Sequence, residues 1–201
     1  MVLSLQGCMA VGKTTAADYL KKHAPCLNIS YEDNADVIRQ IRSRKLDKNR
    51  FGDYLEIQKL WLENEVTRYR NALTFPCTVM DFGAEEIEFY TLNYPKTIGK
   101  NWEVERALKD ELARVRACMP ERILFLEASE ETLRSRKEGD STRSREFFEY
   151  YLTHLLPLKR TWFSGKENVD HLSVDHLTSD EVGARVKNWV DSCIGNHTHG
   201  S

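Results

Sequence analysis

Residues 7–15 read GCMAVGKTT, directly behind the apolar run at residues 1–5. The first eight, Gly7 to Thr14, satisfy the pattern G-x-x-x-x-G-K-[ST] in full. The chemistry behind that spacing is specific. Its glycines let the backbone curl until successive N–H groups converge on phosphate oxygens. Lys13 then reaches the β- and γ-phosphates, and Thr14 supplies a hydroxyl to Mg2+. A helix that follows such a loop turns the positive end of its dipole toward the same anion. A turn without a ligand has no use for Lys-Thr behind its second glycine. Gly7, Cys8, Met9, Ala10, Val11, Gly12, Lys13, Thr14 and Thr15 are therefore the expected cradle of a nucleoside triphosphate, with Mg2+ as its companion.

Outward from this loop, short apolar runs alternate with helical patterns, the signature of an α/β protein. Strands are expected over residues 2–6, 26–30, 77–80, 122–127 and 171–174. Helices are expected over 14–23, 33–45, 51–73, 85–92, 104–118, 129–136, 147–162 and 179–193. Thr178-Ser179-Asp180-Glu181 offers N-capping chemistry for the last of them. Short strands joined by helical crossovers imply a mostly parallel sheet covered on both faces. No internal stretch is rich in Pro, Gly or Ser, so residues 1–195 read as one domain, with a polar tail at 196–201 expected to fray.

Composition narrows the partners. Apolar residues make up 41% and charged residues 30% of the 201, the balance of a globular protein, and the net charge of -2 gives no basic field for nucleic acid or an anionic membrane. No segment approaches the ~20 apolar residues of a membrane span. The N-terminal apolar run is short and lacks a basic leader, so no signal peptide is expected. Five scattered cysteines without a CxxC pair suggest reduced thiols and a cytoplasmic enzyme with neither disulfides nor zinc.

In open α/β sheets ligands bind at the carboxyl ends of the strands. Asp81, in VMDFGAEEIEFY at 79–90, stands at such an end and is a candidate for Mg2+ binding or for general base. Asp81-Phe82-Gly83 also spells the magnesium motif of protein kinases, but the other signatures of those enzymes are missing. The second strand leads into Glu32 and Asp33; either is a candidate to take the proton of a hydroxyl acceptor. Between residues 134 and 145 lie Arg134, Arg136, Lys137, Arg143 and Arg145, with glycine and small polar residues among them. A mobile lid around 134–146 is expected there, its guanidinium groups neutralising the transferring phosphoryl while closure excludes water. A second basic stretch at 39–50 begins with Arg39; it is a candidate to bind a phosphate on the acceptor, or RNA, or forms a solvated helix face.

Taken together, these motifs resemble the deoxynucleoside kinase family within the P-loop kinases of nucleotides and small molecules, over most of the chain and in the same order. The resemblance implies a five-stranded parallel sheet of order 2-3-1-4-5, ATP as phosphate donor, a small-molecule acceptor and a homodimer. It places Glu32 at the family's catalytic glutamate. Gln58, in YLEIQKLWLENEVTRYR, falls at the glutamine that reads the base. Asp81 falls at the acid of the third strand, and FLEASEETLRSR matches the approach to the lid. Gln58, Tyr54, Arg39 and Glu86 are the expected acceptor contacts. In the family the acid of the third strand is followed by Arg-Ser; here Phe82 and Gly83 stand there. That leaves the acceptor open among a nucleoside, a nucleoside monophosphate and another hydroxyl compound. An ATP- or GTP-dependent switch remains the reading from outside the kinases.

Overall fold

The computed structural model describes residues 1–138 and 144–199. Among these, β1 (Val2–Gly7), β2 (Asn28–Ser30), β3 (Thr78–Asp81), β4 (Arg122–Glu127) and β5 (Val169–Ser173) form one sheet. Its order is β2-β3-β1-β4-β5 and every pairing is parallel. The parallel sheet expected from the sequence, and the strand order that the resemblance implies, are therefore those of the structure. Both central strands β1 and β3 are buried along their whole length, so their N–H and C=O groups find partners only in the sheet. β4 has the expected bounds, and β2 is shorter than expected. Leu27 donates its N–H back to Ala24 instead, in a turn around Pro25, and pairing with β3 begins at Asn28.

Around the sheet lie α1 (Lys13–His23), α2 (Ala35–Ser43), α3 (Phe51–Ala72), α4 (Ala84–Thr97), α5 (Val104–Ala107), α6 (Lys109–Arg116), α7 (Glu130–Glu138), α8 (Arg145–Tyr150), α9 (Leu156–Phe163) and α10 (Ser179–His199). The expected helix over 104–118 is broken at Leu108, whose φ of -111° and ψ of 28° separate α5 from α6. The expected helix over 147–162 carries a π turn, Tyr151–Leu155, between α8 and α9. Pro157 has no N–H for the α-helical ladder, and the wider turn before it absorbs the mismatch. α10 continues to His199, beyond the residue where the sequence pattern ends it. No helix among the described residues is long and apolar enough to cross a membrane.

Among the described residues two large apolar cores result, beside a small cluster of Val2, Ala72 and Met80. One lies between the sheet and α1, α9 and α10, with Leu3, Leu5, Leu20, Phe125, Phe163 and Val186 all fully buried. The other joins α3 to α4, α5 and α6 through Tyr54, Leu62, Val66, Tyr94, Leu108 and Leu112. α1 and α10 approach closely where Gly183 faces Tyr19. A Cβ on Gly183 would stand 2.3 Å from Tyr19 Cγ and 2.6 Å from its Cβ, atoms too near the backbone to swing away. Gly183→Ala is expected to destabilise the protein by about 1–3 kcal/mol through overpacking, less up to ~1 kcal/mol from better helix propensity. Urea denaturation measures the balance; a more stable variant would show that the two helices separate freely.

Candidate active site

A cleft of about 720 Å³ opens over the carboxyl ends of β1, β2 and β3. Its floor is the loop from Gly7 to Thr15, except Cys8, an expected cradle residue that is buried in the first core instead. One wall is made by Glu32 beyond β2, Asp81 and Phe82 at the end of β3, Glu86 on α4 and Tyr151. The other is made by Arg136 and Lys137 on α7, with Leu177, Thr178, Ser179 and Val182 after β5.

The loop has the conformation its glycines permit. Gly7 has φ 138°, and a Cβ there would stand 2.5 Å from the carbonyl oxygen of Leu126. Gly12, at φ 106°, caps α1 in the left-handed region. Lys13 Nζ donates to two carbonyls of its own loop, Gly7 O at 3.2 Å and Cys8 O at 2.9 Å. Burial holds its pKa below the usual lysine range, and the nearby Lys159 pushes in the same direction. Thr14 Oγ1 donates to Asp81 Oδ2 at 2.7 Å. The two residues expected to share Mg2+ thus meet across 67 residues of sequence. A hydroxyl and a carboxylate are hard oxygen donors of the kind Mg2+ takes. Among the described residues no group of three His, Cys, Asp or Glu side chains stands together as a metal cage. A magnesium ion here would complete its shell from phosphate oxygens and water.

Of the two acids after β2, Glu32 lines the cleft and accepts from Asn34 Nδ2. Asp33 is exposed, is not part of the lining, and is fixed by its backbone carbonyl, which accepts from Asn64 Nδ2 at 3.0 Å. Glu86 lines the cleft as expected, but its carboxylate is paired with Lys159 Nζ at 2.5 Å. Lys159 is 1% exposed and also donates to Gly7 O at 3.0 Å.

The arginines of the expected lid divide. Arg136 reaches the cleft, donating to Val11 O at 2.8 Å, Val174 O at 2.9 Å and Leu177 O at 3.1 Å. It ties the phosphate loop to the segment after β5. Arg134 instead pairs with Glu130 and Glu149 away from the lining. Arg145 opens α8, is exposed and does not line the cleft. Arg143 and the centre of the expected lid lie outside the described residues.

Three expected acceptor contacts are not in the lining. Tyr54 is fully buried in the second core, its hydroxyl donating to Thr91 O at 2.9 Å. Gln58, one turn on, is buried with its Oε1 accepting from Thr91 Oγ1 at 2.8 Å. Both share the apolar face that α3 lays on α4, so burial against Thr91 decides their orientation. Arg39 is exposed on α2 and pairs with Asp36 at 2.6 Å.

Other residues appear that the sequence patterns did not single out. Arg68 of α3 donates to Ser30 O at 2.7 Å and Asp81 O at 3.2 Å, holding the ends of β2 and β3 together. Its guanidinium lies 5.2 Å from the centroid of the Phe82 ring, at a residue whose φ is 53°. A charged side chain at helical spacing from Tyr54 and Ile57, on a buried face, was the signal available for it. Lys159 gave a similar one, a lysine among Leu155, Leu156, Leu158 and Phe163. After β5 the capping chemistry expected from the sequence is present: Thr178 and Glu181 form a reciprocal capping box on α10, with Thr178 N–H to Glu181 Oε2 at 2.8 Å and Glu181 N–H to Thr178 Oγ1 at 3.3 Å. Those bonds hold the Glu181 carboxyl below its ordinary range.

No family model matches the sequence, and no curated protein matches it. Among solved structures the chain is similar to deoxyadenosine kinase from M. mycoides, determined with its products dCMP and a flexible dCDP. The TM-score is 0.71 at 16% identity, over 96% of this chain and 100% of that one. It is also similar to thymidylate kinase from Candida albicans, with a TM-score of 0.64 at 14% identity over 95% and 91% of the two chains. The fold is that of the P-loop kinases of nucleosides and nucleotides.

Proposed function

We propose that this chain transfers the γ-phosphoryl group of ATP to a hydroxyl of a small uncharged molecule, a (deoxy)nucleoside being the first acceptor to try. The observation that carries this reading is the contact between Thr14 Oγ1 and Asp81 Oδ2, beside Lys13, in a cleft whose wall at Asp81 also presents Glu32. Lys13 and the loop N–H groups bind the β- and γ-phosphates. Thr14 and Asp81 would hold Mg2+, which screens the phosphate charge when bound. Arg136 stands on the donor side. Glu32 takes the proton as the acceptor oxygen bonds to phosphorus and the bond to ADP breaks.

The same wall favours a hydroxyl over a phosphate acceptor. Among the described lining residues, the charged ones beyond β2, at the end of β3 and on α4 are the carboxylates Glu32, Asp81 and Glu86, the last paired with Lys159, whereas the cations Lys13, Arg136 and Lys137 come from the phosphate loop and α7. Burial of Gln58 away from the lining favours a second reading, a hydroxyl compound that is not a nucleoside. Incubation with Mg-ATP and each candidate acceptor, with products resolved by mass, tests the proposal. A phosphorylated neutral acceptor supports it; inorganic phosphate alone, or turnover only with monophosphates, would sink it. Charge reversal in Arg39→Glu is expected to leave the acceptor KM at its wild-type value, measured in the same assay. A large rise in KM would return the monophosphate reading.

A further inference from the structure

We infer that Lys159 is a positioning residue for the phosphate loop: it keeps the Gly7 carbonyl anchored when Lys13 turns to the nucleotide. The inference rests on the reading that the cleft binds a nucleoside triphosphate.

Two ammonium groups converge on one carbonyl oxygen. Gly7 O accepts from Lys13 Nζ at 3.2 Å and from Lys159 Nζ at 3.0 Å, which uses both of its lone pairs. The two lysines differ in what they are free to do. Lys13 lines the cleft, and its other partner is Cys8 O in the same loop. It can exchange those carbonyls for phosphate oxygens at little cost. Lys159 cannot follow. Its ammonium is paired with Glu86 at 2.5 Å and is boxed by the rings of Phe89, Tyr151 and Phe163, with centroids 5.9–6.0 Å away. A buried ammonium that left this pair would strand both charges without partners.

Gly7 is where the anchor has most effect. The residue joins β1 to the loop at φ 138°, pressed against Leu126. A carbonyl released there would let the first peptide of the loop turn, and with it the N–H groups meant for phosphate. Lys159 also ties that peptide to Glu86, so the floor of the cleft and its acceptor wall are held by one side chain.

The test is nucleotide binding, read without any acceptor. A fluorescent ATP analogue with Mg2+ is titrated against wild type, Glu86→Gln, Lys159→Met/Glu86→Gln and Lys159→Arg. Lys159→Met alone would leave the half-buried Glu86 carboxylate beside a lost cation and is expected to fold poorly; the double variant removes both charges. The expected result is ~10-fold weaker binding by the double variant than by Glu86→Gln, about 1.4 kcal/mol. Its ligand-free melting temperature should be no lower than that of the single variant, which keeps the Lys159 ammonium buried without its carboxylate, because Lys13 still holds Gly7 O in the empty site. Lys159→Arg, which retains donors for both partners, is expected to recover most of the affinity. Equal affinity of the double and single variants would overturn the inference and leave Lys159 as a core ion pair. So would a loss of affinity that is matched by a loss of ligand-free stability. A wild type that binds the analogue yet phosphorylates no acceptor would overturn the proposed function while leaving this comparison intact.

Discussion

Lys13→Ala is expected to lower kcat/KM for phosphoryl transfer by ~10³-fold, the scale seen when a single preorganised electrostatic contact to the transition state is removed. Lys13 is the lysine of the loop pattern and the residue whose ammonium can leave its present partners for the phosphates. The same variant should melt at or slightly above the wild-type temperature. In the empty site the ammonium is held below its usual pKa by burial, and Lys159 adds like-charge repulsion. Removing it relieves that strain, while Lys159 continues to hold Gly7 O. An incoming triphosphate relieves the strain in the wild type by supplying negative charge. Steady-state kinetics with a thermal melt checks both halves: wild-type turnover would remove Lys13 from the chemistry, and a collapsed melt would make it structural.

What the sequence made readable was whatever depends on local spacing. The phosphate loop, the bounds of β4 and the parallel sheet follow from motif and periodicity. Asp81 was legible because a residue at the end of a buried strand has few directions in which to point. The acceptor side was less legible, because helix register decides it. Arg134 and Arg136 are two residues apart, roughly 200° around a helix. Only one of them could face the phosphate loop, and which one depends on how α7 packs, a fact no local pattern contains. The burial of Tyr54 and Gln58 away from the cleft lining was illegible for a related reason. Both lie on the face of α3 that buries Leu62 and Val66, and Thr91, 33 residues from Gln58, takes up the polar groups. Arg68 and Lys159 act over separations of 38 and 152 residues in contacts to Ser30 and Gly7, beyond the reach of any windowed reading.

Glu32→Gln is expected to cut kcat by ~10²–10⁴ while leaving the KM for ATP unchanged, the result for a general base that has lost only its proton-accepting oxygen. The substitution keeps size and an oxygen able to accept from Asn34, so the turn after β2 should hold. Its neighbour supplies the control. Asp33 does not line the cleft, and Asp33→Asn should turn over at close to the wild-type rate. Asp81→Asn separates the remaining role. Its carboxylate meets Thr14 Oγ1, so the variant should raise the Mg2+ concentration needed for half-maximal rate rather than abolish proton transfer. Measuring kcat against Mg2+ for all three variants divides the acids by function. If Glu32→Gln turns over like wild type and Asp81→Asn stays dead at saturating Mg2+, the base is Asp81. The acceptor hydroxyl would then have to approach from β3, on the side of Phe82, rather than from β2.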